Sequence, residues 1–252
     1  VRKSGNRVRI TAQLINAADG YHIWSENFDR DLNDIFKVQD EISGIIVNKC
    51  RENLTAKEHD EKLVKVPVQN LEAYTLFLKG LHFYNKVTPK NFKRAIEYFE
   101  KAIALEPNYA YAYAMLAEAY AFLGSTGQMQ PSDAFALVHK YSDKALQLDS
   151  TLSAGYAAKG SAYLLYDWKW NEAYESLQKA IELNPAATDA HQLLSFYYLI
   201  TGKNSEAVAI MEKALEADPL SPIVNKSLVD AYLISGRADD ALKQAELLLE
   251  MY

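Results

Sequence analysis

Cysteine is nearly absent: Cys50 is the only one in 252 residues. A single thiol cannot form a disulfide within the chain, and it cannot supply a cysteine-based zinc site. Cys50 reads as a small buried helix residue, and one thiol suits a cytoplasmic or a periplasmic protein equally. Glycine (10) and proline (7) are also scarce, which leaves few helix breakers among abundant Ala, Leu and Lys. No apolar run approaches the roughly 20 residues that would cross a bilayer, and no signal-peptide pattern opens the chain. Basic residues are in the minority. The net charge is -6, so bulk electrostatics does not attract nucleic acid, and the patch Arg2, Lys3, Arg7, Arg9 is too small to reverse that.

Chemistry-bearing motifs are equally thin. The histidines His22, His59, His82, His139 and His191 are scattered, and none has a partner at metal-ligand spacing. There is no GxSxG, and GSTGQ at 124–128 lacks the lysine and the preceding strand of a phosphate loop. Glu97, Glu100, Glu172, Glu175, Glu212 and Glu216 are interleaved with Lys and Arg at helical spacing, as on a solvated face. No catalytic residue, metal or cofactor is therefore expected, and none of these residues implies a membrane or nucleic-acid partner.

What the sequence does contain is a repeat. FKRAIEYFEKAIALEP, residues 92–107, returns as NEAYESLQKAIELNP ending at Pro185 and as NSEAVAIMEKALEADP ending at Pro219. A third echo, HKYSDKALQLDS, ends at Ser150. Aligned on these ends, a small residue recurs in the first half of each unit at Gly80, Ala117, Gly160 and Ser195, with Val229 in the last. Two more positions recur in the second half: Ala95, Val138, Ala173, Ala207 and Ala241, then Ala102, Ala145, Ala180, Ala214 and Leu248. Between them Phe99, Ser142, Leu177, Met211 and Ala245 occupy a larger site. Small residues at fixed intervals let two antiparallel helices approach closely. A lone hairpin cannot hide its apolar stripe, so neighbours must stack. Val138 and Ser142 fit poorly, and an insertion over about Ser125 to Ser132 is expected to split the second hairpin with a loop.

This pattern resembles tetratricopeptide repeats over residues 70–252. The resemblance implies a mostly α protein, a right-handed α–α superhelix of about five hairpins, with repeats over about 73–109, 110–152, 153–187, 188–221 and 222–252. It also implies that the first helix of each repeat lines a concave groove. The family's groove positions fall on Tyr74, Phe77, Leu81, Tyr84 and Asn85, on Tyr111, Ala114, Glu118, Ala121 and Phe122, and on Asp189, Gln192, Phe196, Leu199 and Ile200. Ala154, Ala157 and Ser161 are their counterparts in the third repeat. The groove so defined is apolar and aromatic, and it lacks the Lys and Asn set with which family members clamp a chaperone's C-terminal carboxylate. An extended peptide, a helix of the same chain or a second copy would suit it; the aromatics could equally pack within the superhelix. The last helix ends without a polar cap, and Leu242, Leu248 and Leu249 are candidates for self-association in a homodimer.

Residues 1–66 read differently. Val8, Ile10, Ala12 and Leu14 alternate with Arg7, Arg9, Thr11 and Gln13, the strand signature. Turn signals at Ser4-Gly5-Asn6 and Ala18-Asp19-Gly20 divide three antiparallel strands. A helix should follow, capped by Asn33 or Asp34, carrying Ile35, Val38, Ile42, Ile45, Ile46 and Cys50 to about Leu54. A polar connector then leads to Pro67, where the repeat domain, 67–252, begins. The stretch GNRVRITAQLINAADGYHIWSENFDRDLNDIFKVQDEI resembles the second half of the TolB-amino-terminal-like domain. That resemblance implies a bacterial module between an effector and a tetratricopeptide array, as in class III adenylate cyclase-like proteins and membrane-bound winged-helix transcription activators. The chain opens without Met inside a strand pattern and stops inside a helical one, so it is expected to be a piece of a larger regulator. The alternative is the regulatory half of a nucleotide cyclase.

Overall fold

The computed structural model describes residues 2–4, 7–15, 22–31, 38, 41–43, 45–46 and 70–251. The chain divides into two compact units, Val1–Leu71 and Glu72–Tyr252.

The first unit holds a three-stranded antiparallel sheet in the order β1 (Arg2–Ser4), β2 (Arg7–Ile15), β3 (His22–Asp31). The alternation in β2 sets its faces: Val8 is buried, Ile10, Ala12 and Leu14 are half-buried, and Arg7, Arg9, Thr11 and Gln13 are exposed. Register pairs Ile10 with Phe28 and Leu14 with Trp24, with an irregularity at Leu14/Ile15. Val38 and Ile42, both helical, bury themselves with Phe28, and Ile10, Ala12, Trp24 and Ile45 flank them. On the solvent face the cross-strand pair Arg9 and Asp29 forms a two-pronged ion pair at 2.8 and 2.7 Å, the geometry a guanidinium fork favours. Asn33, Asp34, Ile35, Cys50, Leu54 and Pro67, expected to start, line or end the helix and its connector, lie outside the described residues.

The second unit is five helical hairpins in sequence: α1 (Leu71–Tyr84) and α2 (Pro89–Leu105); α3 (Ala110–Ser125) and α4 (Pro131–Leu148); α5 (Ser153–Ala162) and α6 (Trp170–Leu183); α7 (Thr188–Ile200) and α8 (Asn204–Ala217); α9 (Pro222–Ile234) and α10 (Ala238–Met251). The first helices α3, α5 and α7 each pack on their own second helix and on the first helix of the next repeat, and α9 packs on α10. The recurring small residues sit at these contacts. Ala95, Ala102, Ala145, Ala173, Ala180 and Ala207 have no exposed surface. A Cβ built on Gly80 would lie 2.4 Å from Phe99 Cε1, and one on Gly160 2.8 Å from Leu177 Cγ. The second helices end alike: Glu106, Asp149, Asn184 and Asp218 N–H donate to the carbonyls of Ala102, Ala145, Ala180 and Ala214, and Pro follows at 107, 185 and 219. In the fourth and fifth hairpins the first helix stops at a left-handed glycine, Gly202 (φ 75°) or Gly236 (φ 77°). The next N–H, of Lys203 or Arg237, reaches back to Tyr198 O or Tyr232 O at 2.8 Å, closing a Schellman turn.

The second hairpin departs from expectation. The extra residues do not form a loose loop; they lengthen α3 and α4. The linking turn, 126–130, is pinned where Gln128 and Met129 N–H both donate to Leu123 O, at 2.9 and 3.1 Å, and Thr126 Oγ1 donates to Phe122 O at 2.7 Å. The longer helices gain a second close approach near the turn, where a Cβ on Gly124 would fall 2.7 Å from Ala134 Cβ. Phe135 fills the space beside it. That relieves the demand on the usual positions, so Val138 and Ser142, poor fits to the pattern, are both fully buried.

The third hairpin changes pitch before its turn. Tyr163–Asp167 is π-helical, and Trp168 follows in the left-handed region (φ 60°). Phe135 stacks on Tyr166 at 5.0 Å, and His139 Nε2 lies 2.9 Å from Asp167 Oδ2, tying this segment to α4. Trp168 is two-thirds exposed and sets its ring edge-on to half-buried Trp170.

Candidate protein-binding groove

The first helices α3, α5, α7 and α9 contact one another in succession and carry the groove positions. Their side chains form two adjoining regions of different chemistry.

The apolar region lies between α7 and α9. A recess of about 380 Å³ is lined by Gln192, Phe196 and Leu199 from α7 and by Asp230, Leu233 and Ile234 from α9, among others. Phe196 is 44% exposed, Leu233 55% and Ile234 58%, as if on an unfinished core. Gln192 is held across the recess by donating from Nε2 to Ser227 Oγ at 2.9 Å. Gln192 and Phe196, expected from the sequence, are thus brought together here.

The second region is built on tyrosines and acids. Phe77 is only 2% exposed and is clasped by Phe99, Tyr109 and Tyr111 at 5.6, 4.8 and 5.2 Å. It backs the wall and offers no contact surface. Tyr74 and Leu81 are half-buried beside it on α1. Tyr84 meets Phe92 edge-on at 5.0 Å, and Phe122 stacks on the other side of Phe92 at 3.8 Å. Glu118 is the lone charge of α3, whose other positions are Ala, aromatic, Leu, Met, Gly or Ser. It is 9% exposed, and its Oε1 is buried with no hydrogen-bond partner among the described residues. Asp189, in the first turn of α7, lies within electrostatic reach, as do the hydroxyls of Tyr84 and Tyr111.

These groups disturb one another in a consistent direction. Burial, and then the negative charge of Asp189, pushes the Glu118 carboxyl up to about 8 from an ordinary 4.5. Burial raises Asp189 as well. Its place in the first turn of α7 counters part of that rise, and repulsion between the two carboxylates opposes ionising both at once. Tyr84 and Tyr111 are both raised by burial and by the two carboxyls, and stay neutral. Between α3 and α7 stands α5, whose groove positions are Ala154, Ala157 and Ser161. Across these short side chains Glu118 and Asp189 come within electrostatic reach of each other.

The sequence pattern assigns both Glu118 and Asp189 to groove positions, but not to one another, because 71 residues and two repeats separate them along the chain. The visible signal is one charge in an otherwise uncharged helix.

The remaining candidates lie elsewhere. On the last helix Leu242 is 61% exposed, Leu249 80%, and Leu248 half-buried. A recess of about 610 Å³ on the second helices mixes Glu100, Lys140, Tyr141 and Lys144 around Tyr113. Asn225, in an N-x-S sequon, is 1% exposed and donates to Pro219 O and Ser221 O, so in the fold it is a structural residue; the other sequon, at Asn53, lies outside the described residues. Among the described residues no three His, Cys, Asp or Glu side chains lie together to hold a metal ion, and no helix is long and apolar enough to cross a membrane.

Comparison with known proteins agrees with this architecture. Tetratricopeptide-repeat family models match residues 98–133, 163–222 and 197–252. A thermophilic TPR protein of Thermus thermophilus superposes with a TM-score of 0.58 at 22% identity, over 71% of this chain and 91% of that one. The pilF structure of Pseudomonas aeruginosa gives a TM-score of 0.50 at 23% identity, over 72% of this chain and 77% of that one. In sequence, a Rhizobium meliloti (strain 1021) protein named "Putative adenylate cyclase 3" is 36% identical over 116 residues, 46% of this chain. The match spans 20% of that relative's length.

Proposed function

From the premise that this chain is a tetratricopeptide-repeat protein, we propose that residues 72–251 form a non-catalytic interaction module, which holds a peptide segment of a partner protein against its first helices. The observation that carries this reading is the recess between α7 and α9. Phe196, Leu233 and Ile234 are left open in a wall whose shape two repeats fix. Apolar side chains held on rigid helices are the usual anchor of helix-in-groove and extended-peptide recognition.

The module works within a larger bacterial signalling protein. The resemblance of residues 5–42 to part of a TolB-like domain supports that reading, and so does the relative named as an adenylate cyclase. The second of these favours a regulatory segment of a nucleotide cyclase over a segment of a transcription regulator. In either case the chemistry belongs to another part of the protein.

The test is a displayed peptide library selected on the 252-residue chain, with Phe196→Asp as the control. Selected peptides should bind with micromolar affinity and lose at least tenfold on Phe196→Asp. Peptides that bind the variant equally well, or a selection that enriches nothing, would refute the groove.

A further inference from the structure

Glu118 is an anomaly that the interaction module alone does not explain. A carboxyl group buried in a helix of alanines and aromatics loses its hydration, and Oε1 accepts no hydrogen bond among the described residues. A second carboxyl, Asp189, two repeats away, lies within electrostatic reach of it, where attraction would need a counter-charge. The hydroxyls of Tyr84 and Tyr111 also lie within electrostatic reach, and no cation stands among these neighbours. Buried acid pairs without a partner are costly, while a guanidinium or ammonium placed between two carboxylates is strongly held. Alongside the acids, the tyrosine rings offer apolar walls to the stem of a long cationic side chain.

We propose that Glu118 and Asp189 are the receptor for one arginine or lysine side chain of the peptide that the groove binds. This rests on the reading of the groove as a peptide site and adds a charge requirement to it. It also adds a spacing. Phe196 lies seven residues beyond Asp189 on α7, about 10 Å along the helix. The bound segment should therefore carry its cation and its apolar anchor about 10 Å apart, about three residues of extended chain. Binding should release the proton of Glu118. Affinity for the cationic segment then rises with pH, by up to about tenfold per unit, until Glu118 is ionised in the free protein.

The experiment uses acetylated, amidated octapeptide pools of Leu, Phe, Ala and Ser around one fixed Arg, Lys, Gln or Glu. Each pool is titrated by fluorescence anisotropy against the 252-residue chain and against Glu118→Gln and Asp189→Asn. At pH 8 the Arg and Lys pools should bind at least tenfold tighter than the Gln pool. Either substitution should erase that advantage, so that the Arg, Lys and Gln pools bind each variant alike, and circular dichroism should report both variants folded. Arg and Gln pools that bind alike, or a preference that survives both substitutions, would overturn the proposal and leave the groove standing. If no pool binds, both readings fall. Propylguanidinium binding as tightly as the Arg pool would assign the pair to a free cation and also overturn it. Should a variant not fold, the pH series on the unaltered chain decides: an Arg-over-Gln ratio that is flat between pH 6 and 8 contradicts the proposal.

Discussion

Replacing Glu118 by glutamine should stabilise the protein, and by an amount that depends on pH. The side chain keeps its size and loses its acid. In the folded chain Glu118 titrates at about 8, against an ordinary 4.5. Between those values the folded state holds a proton that the unfolded state has released, so stability falls as pH rises through the window and levels off above it. Each pH unit corresponds to about 1.4 kcal/mol, which sets an upper limit of about 5 kcal/mol for the full shift. Local relaxation and water entry reduce this to about 2–4 kcal/mol. Tyr84 and Tyr111 are present in both proteins and are raised above their ordinary 10, so their contributions largely cancel in the difference. The part of the Glu118 shift that comes from Asp189 disappears with the acid and belongs to the gain. Urea unfolding at pH 5, 7 and 9 measures it. The gain from Glu118→Gln should be close to zero at pH 5, appear by pH 7 and reach about 2–4 kcal/mol at pH 9. A gain that is the same at all three values, or a loss at pH 9, would refute the burial argument and with it the receptor.

Two further substitutions test the packing. Gly80→Ala gains up to about 1 kcal/mol of helix propensity but drives a methyl into the fully buried Phe99 ring. The net result should be a lower melting temperature, with a loss of about 1–3 kcal/mol; Gly160→Leu, against Leu177, should lose at least as much. Gly202→Ala meets nothing within 4 Å and costs only its φ of 75°, about 1 kcal/mol, so Gly80→Ala should melt lower than Gly202→Ala. Asn225→Ala removes two donated hydrogen bonds and the acceptor for Gln244 Nε2 between α9 and α10. Chemical denaturation should show a loss of about 1–3 kcal/mol.

Much of the fold is legible in the sequence because close packing restricts residue size. Gly80, Ala95, Ala102 and most of their counterparts are small because two helix axes approach there, and at Gly80 and Gly160 even a methyl group would be crowded. The strands of the first unit are legible for a similar reason, since a sheet with one covered face forces alternation on Val8 through Leu14. The second hairpin is not, because a lengthened helix and an inserted loop have the same length in sequence; only the bonds from Gln128 and Met129 to Leu123 distinguish them. The π-helical turn Tyr163–Asp167 is not legible either, since such a turn has no residue signature comparable to Gly or Pro. The groove reads as apolar with few charges. That holds for Phe196, Leu199 and their neighbours on α9. The register also assigns Glu118 and Asp189, the few charges among these positions, but it does not report that two residues from repeats so far apart in sequence come within electrostatic reach of each other.

The central claim is that the first helices of the hairpins are the working surface. Amide hydrogen exchange of the chain, with and without a selected Arg-containing peptide, tests it most directly. Protection should concentrate on α3, α5, α7 and α9, around Glu118, Asp189, Phe196 and Leu233. Protection confined to α2, α4, α6, α8 or α10 would place the ligand on the opposite face and contradict the account.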